Sequence, residues 1–159
     1  MKIIGVVPAR FASTRFPGKP LAKILGREMI SWVLEGAQKS KLLDEVWLAT
    51  DDERIAEVGR RQGAKVAMTD SHLQSGSDRI WAVIKSVDCD VVVNIQGDEP
   101  LVSAEWIEKL TSPLMESKDI EMSTLSTPIR PEEMQNPNVV KVIFNQAGQA
   151  IYFSRFPVP

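Results

Sequence analysis

Three segments of the chain concentrate residues able to do chemistry. In the first, VVPARFASTRFPGKP (6–20), Arg10, Arg15 and Lys19 stand with Ser13, Thr14 and Gly18, and no acidic residue precedes Glu28. Cations, hydroxyls and backbone N–H groups in one loop suit a polyphosphate, which needs many donors and neutralising charge. A merely solvated basic loop is the weaker reading, because no carboxylate offsets the charge. The segment is not a Walker A loop, since Gly18-Lys19 is followed by Pro20, and it is not GxGxxG. In the second segment, NIQGDEP (94–100), Asp98 follows a strand-like run. A carboxylate there can hold a hard cation such as Mg²⁺ together with phosphate. Alone it would read as a turn leading into an acidic helix start; beside a phosphate-seeking loop the metal reading moves ahead. The third segment, HLQSGSDRI (72–80), offers Ser75, Gly76 and Ser77 before a helix, with Asp78 in its first turn. Capping alone explains Ser75 or Ser77. His72 is the single histidine and Cys89 the single cysteine, so neither a His-based triad nor a metal cluster built on histidines is available. His72 reads as an exposed loop residue and Cys89 as a small core residue. What remains favours metal-assisted transfer at a nucleotide phosphate, chemistry that needs positioning and charge neutralisation more than a protein nucleophile.

The elements that must position these segments follow from periodicity. Residues 2–7, 45–50, 64–69 and 90–95 read as strands, the last a continuous apolar run suited to the middle of a parallel sheet. Residues 29–40 carry Ile30, Val33, Leu34 and Ala37 on one helical stripe, and 75–87 carry Ile80, Val83, Ile84 and Val87 on another. Residues 51–63 begin with acids and end at Gly63, and a fourth helix is expected around 103–116. This alternation predicts an α/β fold, a mainly parallel sheet with helices on both faces. The three segments then fall after strands, where open α/β sheets bind their ligands. The tail differs: 122–129, 139–144 and 150–154 read as strands, with an antiparallel hairpin around NQAGQ.

Composition narrows the function classes. With 159 residues, 43% hydrophobic, 25% charged and a net charge of −2, the chain has about one domain's worth of core and no basic excess. That balance argues against a general nucleic-acid or membrane-surface binder. A lone cysteine suits a reducing compartment, and the short apolar start is unlike a secretory signal, so a soluble cytoplasmic protein is expected. The chain stops at SRFPVP directly after a strand, which reads as the end of a fragment.

Together, VPARFASTRFPGKPL, ATDDERIAE, SGSDR, NIQGDEP, VKVIFN and YFSRFPVP resemble the 3-deoxy-manno-octulosonate (KDO) cytidylyltransferases, the CMP-KDO synthetase family. Ser77 stands where threonine is commoner in the family. The resemblance implies a Rossmann-like nucleotidyltransferase of the nucleotide-diphospho-sugar type, an N-terminal portion of a single domain. Residues 1–118 would be the nucleotide-binding part, and 119–159 the start of the sugar-binding and dimerisation part. It implies transfer of CMP from CTP to KDO with release of diphosphate, assisted by Mg²⁺, for lipopolysaccharide biosynthesis. Arg10, Ser13 and Lys19, with Arg15 less directly, would hold the triphosphate, and Asp98 would ligate Mg²⁺. Ala9, Ser75, Gly76, Arg79 and Gln96 would line the nucleotide, with Gln96 also near the sugar. Arg155 would meet the KDO carboxylate, for which a guanidinium fork is well suited. The full-length protein would be a homodimer, and a second metal-binding aspartate would lie beyond Pro159. Two other readings stay open: activation of another acidic sugar, such as 8-amino-KDO or sialic acid, and a non-catalytic nucleotide-binding module.

Overall fold

The first apolar run becomes β1 (Ile3–Ala9), a strand with all seven residues buried. Its depth comes from being flanked on both sides, as the rest of the sheet makes clear. The computed structural model describes residues 1–12 and 16–158. They form two compact units, Met1–Ser123 and Thr124–Pro159; the sequence reading drew its line after residue 118. No helix among the described residues is long and apolar enough to cross a membrane.

In the first unit β1 is followed by two short strands, β2 (Lys23–Ile24) and β3 (Arg27–Glu28), which pair antiparallel. Then come α1 (Met29–Gln38), β4 (Glu45–Thr50), α2 (Glu53–Arg61), β5 (Lys65–Met68), α3 (Gly76–Ile84), β6 (Val91–Asn94) and α4 (Ala104–Glu116). The four long strands form one parallel sheet in the order β5-β4-β1-β6. Alternation along β1 sends Ile3, Val7 and Ala9 to one face, and Ile4 and Val6 to the other. On the first face they meet Ile30, Val33 and Leu34 of α1, Ile55 and Val58 of α2, and Ile107 of α4. On the second they meet Ile80 and Val83 of α3. The predicted α/β class, with helices on both faces, is what forms.

Two expectations are corrected. The apolar run of β6 does not sit mid-sheet; β6 ends the strand order and, among the described residues, pairs with β1 alone. Its run reflects cover on both faces, Val93 packing with the α1 side and Val92 with the α3 side. Periodicity reports covered faces and is blind to place in the strand order. Residues 122–129 form no strand. Their apolar side chains (Met122, Leu125, Ile129) do not alternate with period two, Pro128 cannot donate to a ladder, and Met122 is 86% exposed.

In the second unit β7 (Lys141–Phe144) and β8 (Ala150–Ser154) pair antiparallel, as expected, with an irregularity between Ile143 and Phe144. The turn closes through Asn145 N–H to Gln149 O at 2.9 Å. The Lys141 ammonium is buried and donates to the carbonyls of Asn136 at 2.6 Å and Arg155 at 3.0 Å.

At the amino edge of the parallel sheet Glu45 joins three strands. Its carboxylate accepts from the Trp47 indole at 2.7 Å and pairs with Lys65 at 3.0 Å and Lys2 at 3.4 Å. These partners, the indole hydrogen bond foremost, lower its pKa from 4.5 to about 2. A depressed carboxylate stabilises the fold fully above the unfolded value, and that contribution is lost as pH falls through the folded value. Glu45→Gln should therefore lower the urea midpoint near neutral pH. The gap from the unaltered chain should close as pH falls from 4.5 towards about 2, measured by fluorescence-monitored unfolding.

Candidate functional site

The strand order reverses direction at β1: the chain adds β4 and β5 on one side, then returns to add β6 on the other. At such a switch point the connections diverge and leave a crevice outside the carboxyl ends of the strands. A cleft of about 640 Å³ lies there. Its walls come from the loop after β1, the start of α3 and the segment after β6.

The loop after β1 is fastened at Phe11. The Phe11 N–H donates to Asp51 Oδ1 at 3.1 Å, and its carbonyl accepts from Gly18 N–H at 2.9 Å, closing the loop on itself. The Arg54 guanidinium stacks on the Phe11 ring, 3.8 Å from its centroid. Gly18 has a φ of 69°, and a Cβ there would come within 2.9 Å of the Phe11 ring, so the closure requires glycine. The chain then enters a 3-10 turn at Lys19, which points its ammonium at Asp98 Oδ2, 2.6 Å away.

The second wall is the N-terminus of α3. Ser75 caps it in a reciprocal box: Ser75 Oγ accepts from Asp78 N–H at 3.0 Å, and Asp78 Oδ2 accepts from Ser75 N–H at 3.1 Å. The Ser75 hydroxyl is thus committed to the helix, and Ser75 and Gly76 both line the cleft. Arg10 Nη1 reaches the Gln74 carbonyl at 3.4 Å, linking the loop to this wall. The third wall follows β6. Gln96 donates to Asn94 Oδ1 at 2.6 Å, and Gly97 lies so close to β1 that a Cβ would come 2.7 Å from the Pro8 carbonyl oxygen.

Ala9, Arg10, Lys19, Ser75, Gly76, Arg79, Gln96 and Asp98 therefore all line one cleft. Ser13 and Arg15 lie outside the described residues. Arg155 belongs to the second unit, where Nη1 donates to the Pro137 carbonyl at 3.0 Å. Of the cleft's cations, Arg79 is paired with Asp51 and Lys19 with Asp98, while Arg10 meets no carboxylate among the described residues. His72 is exposed and pairs with Asp70 at 2.8 Å. Cys89 packs against the α3 side of the core, and burial raises its thiol pKa, which disfavours the thiolate.

The family model described as cytidylyltransferase matches residues 4–159. The chain belongs to the cytidylyltransferase family. It is 57% identical over its whole length to the 3-deoxy-manno-octulosonate cytidylyltransferase of Bdellovibrio bacteriovorus, and 46% identical to the enzyme of that name from Geobacter metallireducens. It spans 64% and 63% of those two relatives. Among solved structures, a CMP:2-keto-3-deoxy-manno-octonic acid synthetase complexed with CTP superposes with a TM-score of 0.91 at 37% identity, covering 100% of this chain and 66% of that one. A cytidylyltransferase from Leptospira borgpetersenii, 23% identical with a TM-score of 0.67, covers 74% of this chain and 50% of its own, and shares the fold.

The donor set of the cleft bears on the metal expectation. Among the described residues no three His, Cys, Asp or Glu side chains gather as a ligand cluster. Mg²⁺ is commonly held by one or two carboxylates, with phosphate oxygens and water completing its shell. Asp98, half exposed at the cleft, fits an ion that arrives on a polyphosphate.

Sequence reasoning did not single out Asp51, Thr69, Phe11 or Arg54 as parts of the site's frame. In the sequence Asp51 and Asp52 read together as acids opening a helix. Asp52 alone is the cap, accepting from Arg54 N–H at 3.0 Å, and Asp51 turns inward. Two aspartates where one cap suffices was the available signal. The close approach at Gly97 is directly testable. Gly97→Ala should lose about 1–3 kcal/mol of stability through overpacking against the β1 backbone, read from the urea midpoint at unchanged slope.

Proposed function

We propose that the chain is the N-terminal portion of a KDO cytidylyltransferase, which joins CTP and KDO to give CMP-KDO and diphosphate in lipopolysaccharide biosynthesis. The observation that carries this reading is the meeting of Lys19 and Asp98, 79 residues apart in sequence, in one cleft at the switch point. The 57% identical relative and the CTP-complexed neighbour support the choice of nucleotide and sugar.

In the proposed reaction the anomeric hydroxyl oxygen of KDO attacks the α-phosphorus in line, and the bond to the bridging oxygen of the diphosphate breaks. Products are CMP-KDO, diphosphate and the proton of the hydroxyl. Arg10 and Lys19, with Ser13 and Arg15, hold the triphosphate, and the three cations among them offset the charge growing on the leaving group. The backbone at Ser75 and Gly76, at the N-terminus of α3, and the side chains of Gln96 and Arg79 orient the nucleoside side. Asp98 would hold Mg²⁺, which when bound polarises the phosphates and offsets their charge. Arg155 receives the sugar carboxylate. Residues 1–118 serve the nucleotide and the remainder begins the sugar-binding and dimerisation part, in a cytoplasmic homodimer. Ile151, Tyr152 and Phe153, each more than half exposed on β8, support that last assignment.

Calorimetry with CTP, with and without Mg²⁺, tests the site, and diphosphate release with a panel of 2-keto sugar acids tests the reaction. Hydrogen bonds to charged groups contribute about 1.5–3 kcal/mol, so Lys19→Ala should weaken CTP binding roughly ten- to hundredfold. Asp98→Asn should abolish the gain in CTP affinity that Mg²⁺ brings. Wild-type affinity in the first variant, or an unchanged Mg²⁺ effect in the second, would remove that residue from the site. Diphosphate release with sialic acid or 8-amino-KDO and none with KDO would reassign the sugar. Sedimentation of the full-length protein should give a dimer, and Ile151→Asp with Phe153→Asp should give a monomer.

A further inference from the structure

Among the described residues one ion pair is buried on both sides. The side chain of Arg79 is 2% exposed and that of Asp51 6%, whereas every other pair keeps at least one partner more than a third exposed. A buried pair is a poor source of stability, because desolvation consumes much of what the attraction returns. Its position suggests what it does instead.

Asp51 is the first residue after β4, and its two carboxylate oxygens are divided between two walls of the cleft. Oδ1 accepts from Phe11 N–H at 3.1 Å, where the loop leaves β1 directly after Arg10. Oδ2 accepts from Arg79 Nη2 at 3.1 Å, in the first turns of α3. Arg79 Nη1 donates to Thr69 Oγ1, just beyond β5, and that hydroxyl donates to the Thr50 carbonyl at 3.1 Å. The ends of β1, β4 and β5 and the start of α3 are thus joined through one carboxylate and one guanidinium. Arg79 lines the cleft; Asp51 sits behind it.

We propose that Asp51 is a positioning residue for the nucleotide cleft, holding the Arg10-bearing loop and the N-terminus of α3 at their working separation before any ligand arrives. The inference rests on the cleft being the nucleotide site. A loop with three cations and few apolar anchors would otherwise spread, and a ligand would have to order it on binding. The Asp51 carboxylate removes that cost in advance, since its bond to Phe11 and the Gly18–Phe11 closure fix both ends of the loop.

The test has two parts, both on this chain. In the unaltered protein without nucleotide, the Phe11 amide should exchange slowly with solvent deuterium, as followed by NMR. Fast exchange that slows only on adding CTP would overturn prior positioning. Second, Asp51→Asn and Asp51→Glu should bind CTP with Mg²⁺ roughly tenfold or more weakly by calorimetry. Both are read well below their unfolding midpoints, beside Ile107→Val, a core change outside the cleft lining. A merely structural role predicts that the Asp51 variants, like the core control, bind as the unaltered chain once folded. Such binding in either folded variant overturns the proposal. A slowly exchanging Phe11 amide in an unaltered chain that binds no CTP sinks the nucleotide reading, and Asp51's role toward it as well.

Discussion

The pairing of β1 with β4 on one side and β6 on the other is the constraint on which the rest of the structure depends. A strand flanked on both sides, with helices over both faces, has no polar surface left to offer except at its ends. The chain after Ala9 runs to α1 over one face of the sheet, while the connection from β5 runs to α3 over the other. Neither can cover the gap between them, so the crevice follows from topology. Gly97 sharpens it, because the segment after β6 lies against the Pro8 carbonyl and any side chain there would force the two walls apart.

Two ion pairs divide the work in that crevice. Lys19 and Asp98 are 39% and 49% exposed, and a pair that open contributes about 0–1 kcal/mol. It can separate at little cost, leaving the ammonium open to an anion and the carboxylate open to a cation. In an empty cleft it keeps two charges satisfied that would otherwise repel like-charged neighbours or face solvent singly. Asp51 and Arg79 are the opposite case, enclosed and bonded at several points, and parting them would strand a charge in the interior. The site thus combines an exchangeable pair at its mouth with a fixed pair behind its wall.

Much of this was legible in the sequence. Short apolar runs and period-3.6 patterns located the four strands of the parallel sheet and the four α-helices of the first unit to within a few residues, because covered faces impose those patterns directly; the short β2 and β3 bury too little to leave one. The cationic character of the loop after β1 was legible as charge without compensation from Met1 to Arg27. Strand order was not, since the apolar run of β6 records two covered faces whether it lies mid-sheet or at an end. Residues 122–129 misled because β-favouring residue types carry no information about a partner strand. Asp51 was hidden by its neighbour: Asp-Asp before a helix looks like a cap with a spare acid, and its real partners are 40 and 28 residues away.

The two units raise physically separate questions. Every residue lining the cleft belongs to the first unit, whose core is built from its own sheet and helices. Whatever the cleft holds is therefore held by that unit's switch point. The second unit is held differently. Successive residues of a strand point to opposite faces, so exposure of Ile151, Tyr152 and Phe153 together means that β8 presents apolar groups on both sides of its hairpin. A two-stranded hairpin is marginal by itself in water, and this one leaves aromatic surface uncovered on each face. Such a hairpin gains most from being enclosed. Changes in the cleft and changes at β8 can then act independently, because each falls within a separate compact unit.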